Sequence, residues 1–263
     1  MQARTMTTIQ PQPTRHPILL LPGHWLGGWV WGEVAARLTE LGHEVEPLTL
    51  PGLESADAAR EAVTFADHVD YVATRIGSLG GRVVLVAHSG AGAVATAVAD
   101  RMPGALARIV YVDSGPVGDG TVPRPELTAE DAELPFPGLD ALAAHGVSVE
   151  GLGDDHRAEL TARAVPHPAG ACRQPVTLTD PHRHEVPTTV VCCSIPGSVM
   201  QELVASGEPM FAPLRELTDL TVRELPTGHW PMLSRPAELA ELIGAEADRD
   251  DERDARPLSV HVP

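Results

Sequence analysis

The segment that most constrains this chain is Arg82-Val-Val-Leu-Val-Ala-His-Ser-Gly-Ala-Gly-Ala93. Its first half, through Ala87, reads as a buried strand, and the small residues from Ala91 to Ala99 read as a helix. Ser89 falls on the turn between them. A strand that enters a helix through a single x-Ser-x step forces the serine backbone into a strained conformation and lifts its hydroxyl clear of the sheet. Strand and helix nearly touch at such a turn, so the residues two before and two after the serine must be small. Ala87 and Ala91 fill those places, where glycine is the commoner occupant, and Gly92 follows. The N–H of Gly90, at the start of the helix, is then aimed where an oxyanion would form. A serine that merely caps a helix leaves the same local pattern, so the decision falls to the rest of the chain.

Two further segments bear on it. Pro22-Gly-His-Trp-Leu-Gly-Gly28 follows the first strong strand and can supply a second oxyanion N–H; by spacing this is the backbone of His24, with Trp25 beside it. The glycines Gly23, Gly27 and Gly28 do not have the spacing of a dinucleotide fingerprint. Leu225-Pro-Thr-Gly-His-Trp-Pro-Met-Leu233 puts His229 on the loop between the final strand and the final helix, at the same carboxyl end of the sheet as Ser89. Among twelve histidines, His229 has the chain order and loop position of a general base. His88 should point into sheet or helix packing. His145, His156, His167, His182 and His184 fall in an insertion, where surface positions are the expectation.

Short apolar runs alternate with amphipathic stretches, the pattern of an α/β fold with a mostly parallel twisted sheet and helices on both faces. Strands are expected at Pro17–Leu21, Glu44–Leu50, Arg82–Ala87, Ala107–Val112, Thr188–Cys193 and Leu220–Leu225, with helices at Trp29–Leu41, Thr64–Ile76 and Arg235–Ala245. Residues 115–186 break this rhythm, being rich in Pro, Gly, His and acids with short helical patches at Gly138–His145 and Asp154–Ala164. They read as a lid inserted into a core made of residues 1–114 and 187–245. The charge run Glu246–Asp254 opens an acidic tail, 246–263, that reads as solvated and flexible.

A net charge of −17 argues against nucleic acid or an anionic membrane as partner. All 19 basic residues are arginine, which excludes Schiff-base chemistry, covalent pyridoxal phosphate and a P-loop, since each needs a lysine amine. Adjacent Cys192 and Cys193 face opposite sides of a strand and should not bridge, and Cys172 stands apart from them. No metal-ligand spacing is present, so no metal is expected and a reduced setting is the default. Met1–His16 lacks the apolar core of a signal peptide, and no apolar run is long enough to span a membrane. The expectation is a soluble, cytoplasmic protein acting on a small molecule, with a homodimer as one open oligomeric state.

The elbow, the glycine-rich turn and the histidine loop together resemble the α/β-hydrolase superfamily, over about Pro17 to Ile243. Within it the closest look is to the branch of plant esterases and hydroxynitrile lyases. The resemblance implies an eight-strand type of sheet, a lid over the site and no cofactor. Ser89 would attack a carbonyl, His229 would shuttle the proton, and the N–H groups of His24 and Gly90 would hold the oxyanion. Cyanohydrin lyases of this branch keep a Lys beside the histidine and a Thr in the oxyanion turn; Trp230 and Gly23 stand there, which disfavours cyanohydrin cleavage. The orienting acid departs from the pattern. Most relatives place an Asp after the strand that is here Thr188–Cys193, but Ser194–Val199 carries no carboxylate. Asp113, after the preceding strand, is the candidate, with a Ser-His dyad or a lid acid such as Asp180 as alternatives. Trp25, Trp230, Met232 and Phe136 should line the substrate pocket, unless they simply pack the lid onto the sheet. The leading reading is a serine hydrolase acting on an ester, thioester, lactone or amide of an apolar small molecule. The alternatives are a non-hydrolytic cyclase, epimerase or C–C lyase on the same scaffold, and a silent binding protein.

Overall fold

A computed structural model describes residues 15–255; the readings made of the first fourteen residues and of residues 256–263 lie outside it. The first half alternates strictly: β1 (Ile18–Leu21), α1 (Gly32–Glu40), β2 (Val45–Pro47), α2 (Phe65–Leu79), β3 (Val83–His88), α3 (Ala91–Arg101) and β4 (Leu106–Val112). The insertion holds β5 (Glu133–Leu134), α4 (Leu139–Ala144), α5 (Asp154–Arg163), β6 (His167–Pro168) and α6 (Gly170–Arg173). The core resumes with β7 (Thr188–Cys192), α7 (Gly197–Ser206), β8 (Leu220–Glu224), α8 (Pro231–Ser234) and α9 (Pro236–Ala255).

The main sheet has the order β2-β1-β3-β4-β7-β8, and every pairing in it is parallel. It has six strands among the described residues, not the eight the resemblance implied. Its inner strands are buried on both faces, which is why they read as unbroken apolar runs. Successive side chains still alternate between two cores. Leu19, Leu21 and Leu85 meet Val72 and Ile76 of α2 and Val94 and Val98 of α3 on one face. Ile18, Leu20, Val84 and Val86 meet Val34 and Leu38 of α1 and Leu239 and Ile243 of α9 on the other. Cys192 and Cys193 divide between the two cores in the same way.

Local chemistry sets the helix limits. Thr64 caps α2 through a reciprocal box in which Asp67 N–H donates to the Thr64 hydroxyl oxygen and Thr64 N–H donates to the Asp67 carboxylate at 2.8 Å. Gly80, at φ +70°, closes it. The two helical patches anticipated in the insertion are α4 and α5, and Leu139, Leu142 and Leu160 join the core on the α1 side.

The acidic tail is a correction. The run from Glu246 continues α9 as helix to Ala255, with Glu246, Asp250 and Asp251 buried. Arg108 of β4, itself fully buried, donates to both Asp250 oxygens at 2.7 and 3.0 Å. Arg223 and Arg249 donate to Glu246 at 2.8 and 2.7 Å. Those guanidinium partners offset the charge repulsion that made the segment read as solvated. No helix among the described residues is long and apolar enough to cross a membrane.

Candidate active site

Loops from the carboxyl ends of β1, β3, β4 and β8 meet at one place. Trp25, Ser89 and Asp113, at φ +67°, +52° and +43°, are the non-glycine residues with positive φ among the described residues, and all three belong to this site. Left-handed backbone at such residues costs about 1–3 kcal/mol each and persists only where surrounding structure imposes it. At Ser89 the imposition is visible. Its N–H donates to Val112 O at 3.3 Å, its carbonyl accepts from Gly92 N–H at 3.0 Å, and the Ser114 hydroxyl donates to the same carbonyl at 2.6 Å. Ala87 and Ala91 are buried between strand and helix, as the elbow requires.

His229 Nε2 lies 2.8 Å from Ser89 Oγ, and its Nδ1 lies 2.6 Å from Asp113 Oδ2. A carboxylate can only accept, so Nδ1 carries the proton and Nε2 is left bare to accept the serine O–H. The loop after β7, which lacks a carboxylate, serves the acid of the neighbouring strand instead. Ser194 N–H donates to Asp113 Oδ1 at 2.8 Å, Cys193 N–H at 3.3 Å, and the Ser194 hydroxyl donates to Oδ2 at 2.7 Å. Burial pushes the Asp113 carboxyl up, but the hydrogen bond and charge of His229 and the Ser194 donors outweigh it and hold its pKa at about 2. Asp180 is elsewhere, capping the short turn Pro181–Glu185 and accepting from His182.

The turn carrying His24 rests directly on the elbow. A Cβ on Gly23 would stand 2.8 Å from Ser89 Cβ, and one on Gly90 would collide with the His24 ring. Glycine is therefore dictated at both places. His88 is buried at 1 % exposure, as anticipated, yet it also touches the site: its Nε2 donates to the His229 carbonyl at 2.6 Å. Its Nδ1 has no partner among the described residues. Burial and the neighbouring His229 push His88 down to about 3, so it stays neutral. The insertion holds two of the loops. Ser148 O accepts from His229 N–H at 2.8 Å, Glu150 O from Gly228 N–H at 3.1 Å, and Leu134 O from the Trp25 indole at 3.0 Å.

A cavity of about 10 Å³ beside the elbow is lined by Gly23, His24, Phe65, His68, Gly90 and His167. The side chains expected either to line a substrate pocket or to pack the insertion lie elsewhere. Trp25 stands edge-on between His24 and Phe136, Trp230 stands edge-on against His229 at 5.1 Å, and Met232 is fully buried in the core. These side chains follow or face the site loops but turn into packing. His167 is a second correction: it is buried in β6, where its Nδ1 accepts from Trp25 N–H at 3.3 Å, rather than exposed. Burial drives both His24, to about 3, and His167 well below the ordinary imidazole range. Ligand-capable atoms of His24, His167 and Cys172 all lie within 4.8 Å of one another, a grouping that no spacing in the sequence announced.

A family model described as "Alpha/beta hydrolase family" matches residues 18–242. A carbendazim hydrolyzing esterase of Nocardioides sp. (strain SG-4G) is 28% identical over 253 residues, covering 86% of this chain and 98% of that one. Methylesterase 7 of Arabidopsis thaliana is 25% identical over 265 residues, covering 88% and 96%. Among solved structures, an extracellular alpha/beta-hydrolase from a Paenibacillus species superposes with a TM-score of 0.69 at 19% identity, covering 89% of this chain and 99% of that one.

Proposed function

The chain belongs to the alpha/beta hydrolase family and is an esterase-like enzyme, and from that premise we propose that it cleaves a small ester through an acyl-Ser89 intermediate. The observation that carries this is the unbroken line from Asp113 through His229 to Ser89, at 2.6 and 2.8 Å. The Ser89 oxygen attacks the ester carbonyl carbon while His229 Nε2 takes its proton. The tetrahedral oxyanion is received by the N–H groups of Gly90 and His24. Collapse expels the alcohol, which leaves with the proton from His229. Water, deprotonated by the same nitrogen, then releases the acid and restores Ser89. Asp113 stays ionised throughout, fixes the ring tautomer and offsets the imidazolium charge.

The relatives' names, an esterase and a methylesterase, support an ester as the bond cleaved. The buried, unbridged thiols Cys172, Cys192 and Cys193 favour a reducing compartment such as the cytoplasm. A fluorophosphonate should label the wild-type protein and fail to label Ser89→Ala, and the wild-type protein alone should turn over p-nitrophenyl acetate. Folded wild-type protein that takes no label would remove Ser89 as nucleophile. Labelling without turnover of any ester would move the reading to a non-hydrolytic reaction on this scaffold.

A further inference from the structure

We propose that His24, His167 and Cys172 form a binding site for a borderline-soft divalent cation, Zn²⁺ foremost, and that the bound ion closes the cavity beside the elbow. The cluster is built from three separate elements. His24 comes from the turn after β1, His167 from β6 and Cys172 from α6, and their ligand atoms lie within 4.8 Å of one another. His24 Nε2 is 3.7 Å from Cys172 Sγ. A tetrahedral zinc with bonds of about 2.0–2.1 Å to nitrogen and about 2.3 Å to sulfur needs a nitrogen–sulfur separation of about 3.5 Å, so this edge of the site is already spaced for it.

The donor set also selects. Two imidazoles and one thiol, with no carboxylate in the cluster, suit Zn²⁺ and not Mg²⁺ or Ca²⁺. Both histidines line the cavity of about 10 Å³, which has room for a single water-sized occupant, such as a water on the fourth position of a three-ligand metal. Trp25 N–H donates to His167 Nδ1 at 3.3 Å, which leaves Nε2 of that ring as the nitrogen to bind an ion. Cys172 is fixed by its own backbone, with its N–H donating to Ala169 O at 3.0 Å and its carbonyl accepting from Arg124 N–H at 2.9 Å. Binding replaces the thiol proton with a metal–sulfur bond and releases that proton to solvent. The ion would stand among His24, His167 and Cys172 and would fix the His24 ring that rests against Gly90, beside the backbone groups proposed as oxyanion donors. This blocking effect rests on the esterase reading above; the binding itself does not.

The test uses Co²⁺ as a spectroscopic stand-in and then Zn²⁺. Wild-type protein titrated with Co²⁺ should develop a thiolate-to-cobalt charge-transfer band saturating at one equivalent, and Zn²⁺ should displace it. Cys172→Ala should lack the band and bind Zn²⁺ at least about tenfold more weakly. Without added metal it should turn over p-nitrophenyl acetate like the wild type. Zn²⁺ should suppress wild-type turnover reversibly to EDTA and spare the variant. Cys172→Ser repeats the comparison should the alanine variant fail to fold. No thiolate band in the wild type, or a band that persists without Cys172, overturns the site. A band in a wild-type protein that hydrolyses no ester upholds the site and counts against the esterase reading instead.

Discussion

Asp113 follows β4 at φ +43°, and that one strained residue turns a carboxylate out of the sheet towards His229 and the N–H groups after β7. Its neighbours divide the work. Oδ1 accepts from Cys193 and Ser194 N–H, and Oδ2 accepts from His229 Nδ1. In Asp113→Asn the amide cannot both accept from Nδ1 and keep its bonds to the Ser194 donors, so the wrong imidazole tautomer is favoured. Acylation should slow by at least about a hundredfold with KM little changed, read as the burst rate with p-nitrophenyl acetate. An unchanged burst in folded variant would take Asp113 out of the relay. His88 works on the same residue from beneath, holding the His229 carbonyl at 2.6 Å.

Elements are tied together by charge as well as by apolar packing. α9 lies against β4 and β8 through Arg108–Asp250 and Arg223–Glu246, and the Thr189 hydroxyl of β7 donates to Glu246 at 2.9 Å. A buried ion pair adds little net stability, but removal of one partner strands the other in a low dielectric. Asp250→Ala should therefore cost about 3–5 kcal/mol in urea unfolding, while Arg108→Met with Asp250→Leu should recover most of it. A single variant as stable as wild type would show that Glu246 alone suffices for Arg108. The insertion is an element of a different kind. It contributes Leu139, Leu142 and Leu160 to the core and backbone carbonyls to the site loops, so it braces the site.

The molecule as a whole carries several imidazoles that are neutral because they are buried. His68, His88 and His167 have folded pKa values lowered by burial, while in the unfolded chain each returns to about 6.5. A depressed folded pKa means that the unfolded chain binds more protons below that value. Stability from these groups is complete above about pH 6.5 and falls as the pH drops through the window down to the folded values, about 3 for His88. Asp113, held at about 2, adds its own loss only below the unfolded carboxylate value of about 3.9. The denaturant midpoint should thus decline from pH 7 to pH 5, well before carboxylates titrate, by up to about 1.4 kcal/mol per pH unit for each such histidine. A flat profile across that interval would show that these rings gain protons in the folded state.

The strand–serine–helix elbow, the glycine-rich turn beside it and the position of His229 were legible in the sequence, because each is enforced locally: small residues where backbones touch, and apolar runs where strands are buried on both faces. The choice of Asp113 over Asp180 was open in the sequence, since it depends on which loop a neighbouring strand brings alongside. The tail was misread, and the His24–His167–Cys172 grouping went unseen, for a related reason. Glu246 and Asp250 look solvated until Arg108 arrives from a strand far away in the chain, and His167 and Cys172 are unremarkable until β6 and α6 carry them to His24. Local sterics determined the nucleophile's turn; only long-range packing decided what surrounds it, because burial and charge pairing are properties of neighbours that the chain order does not adjoin.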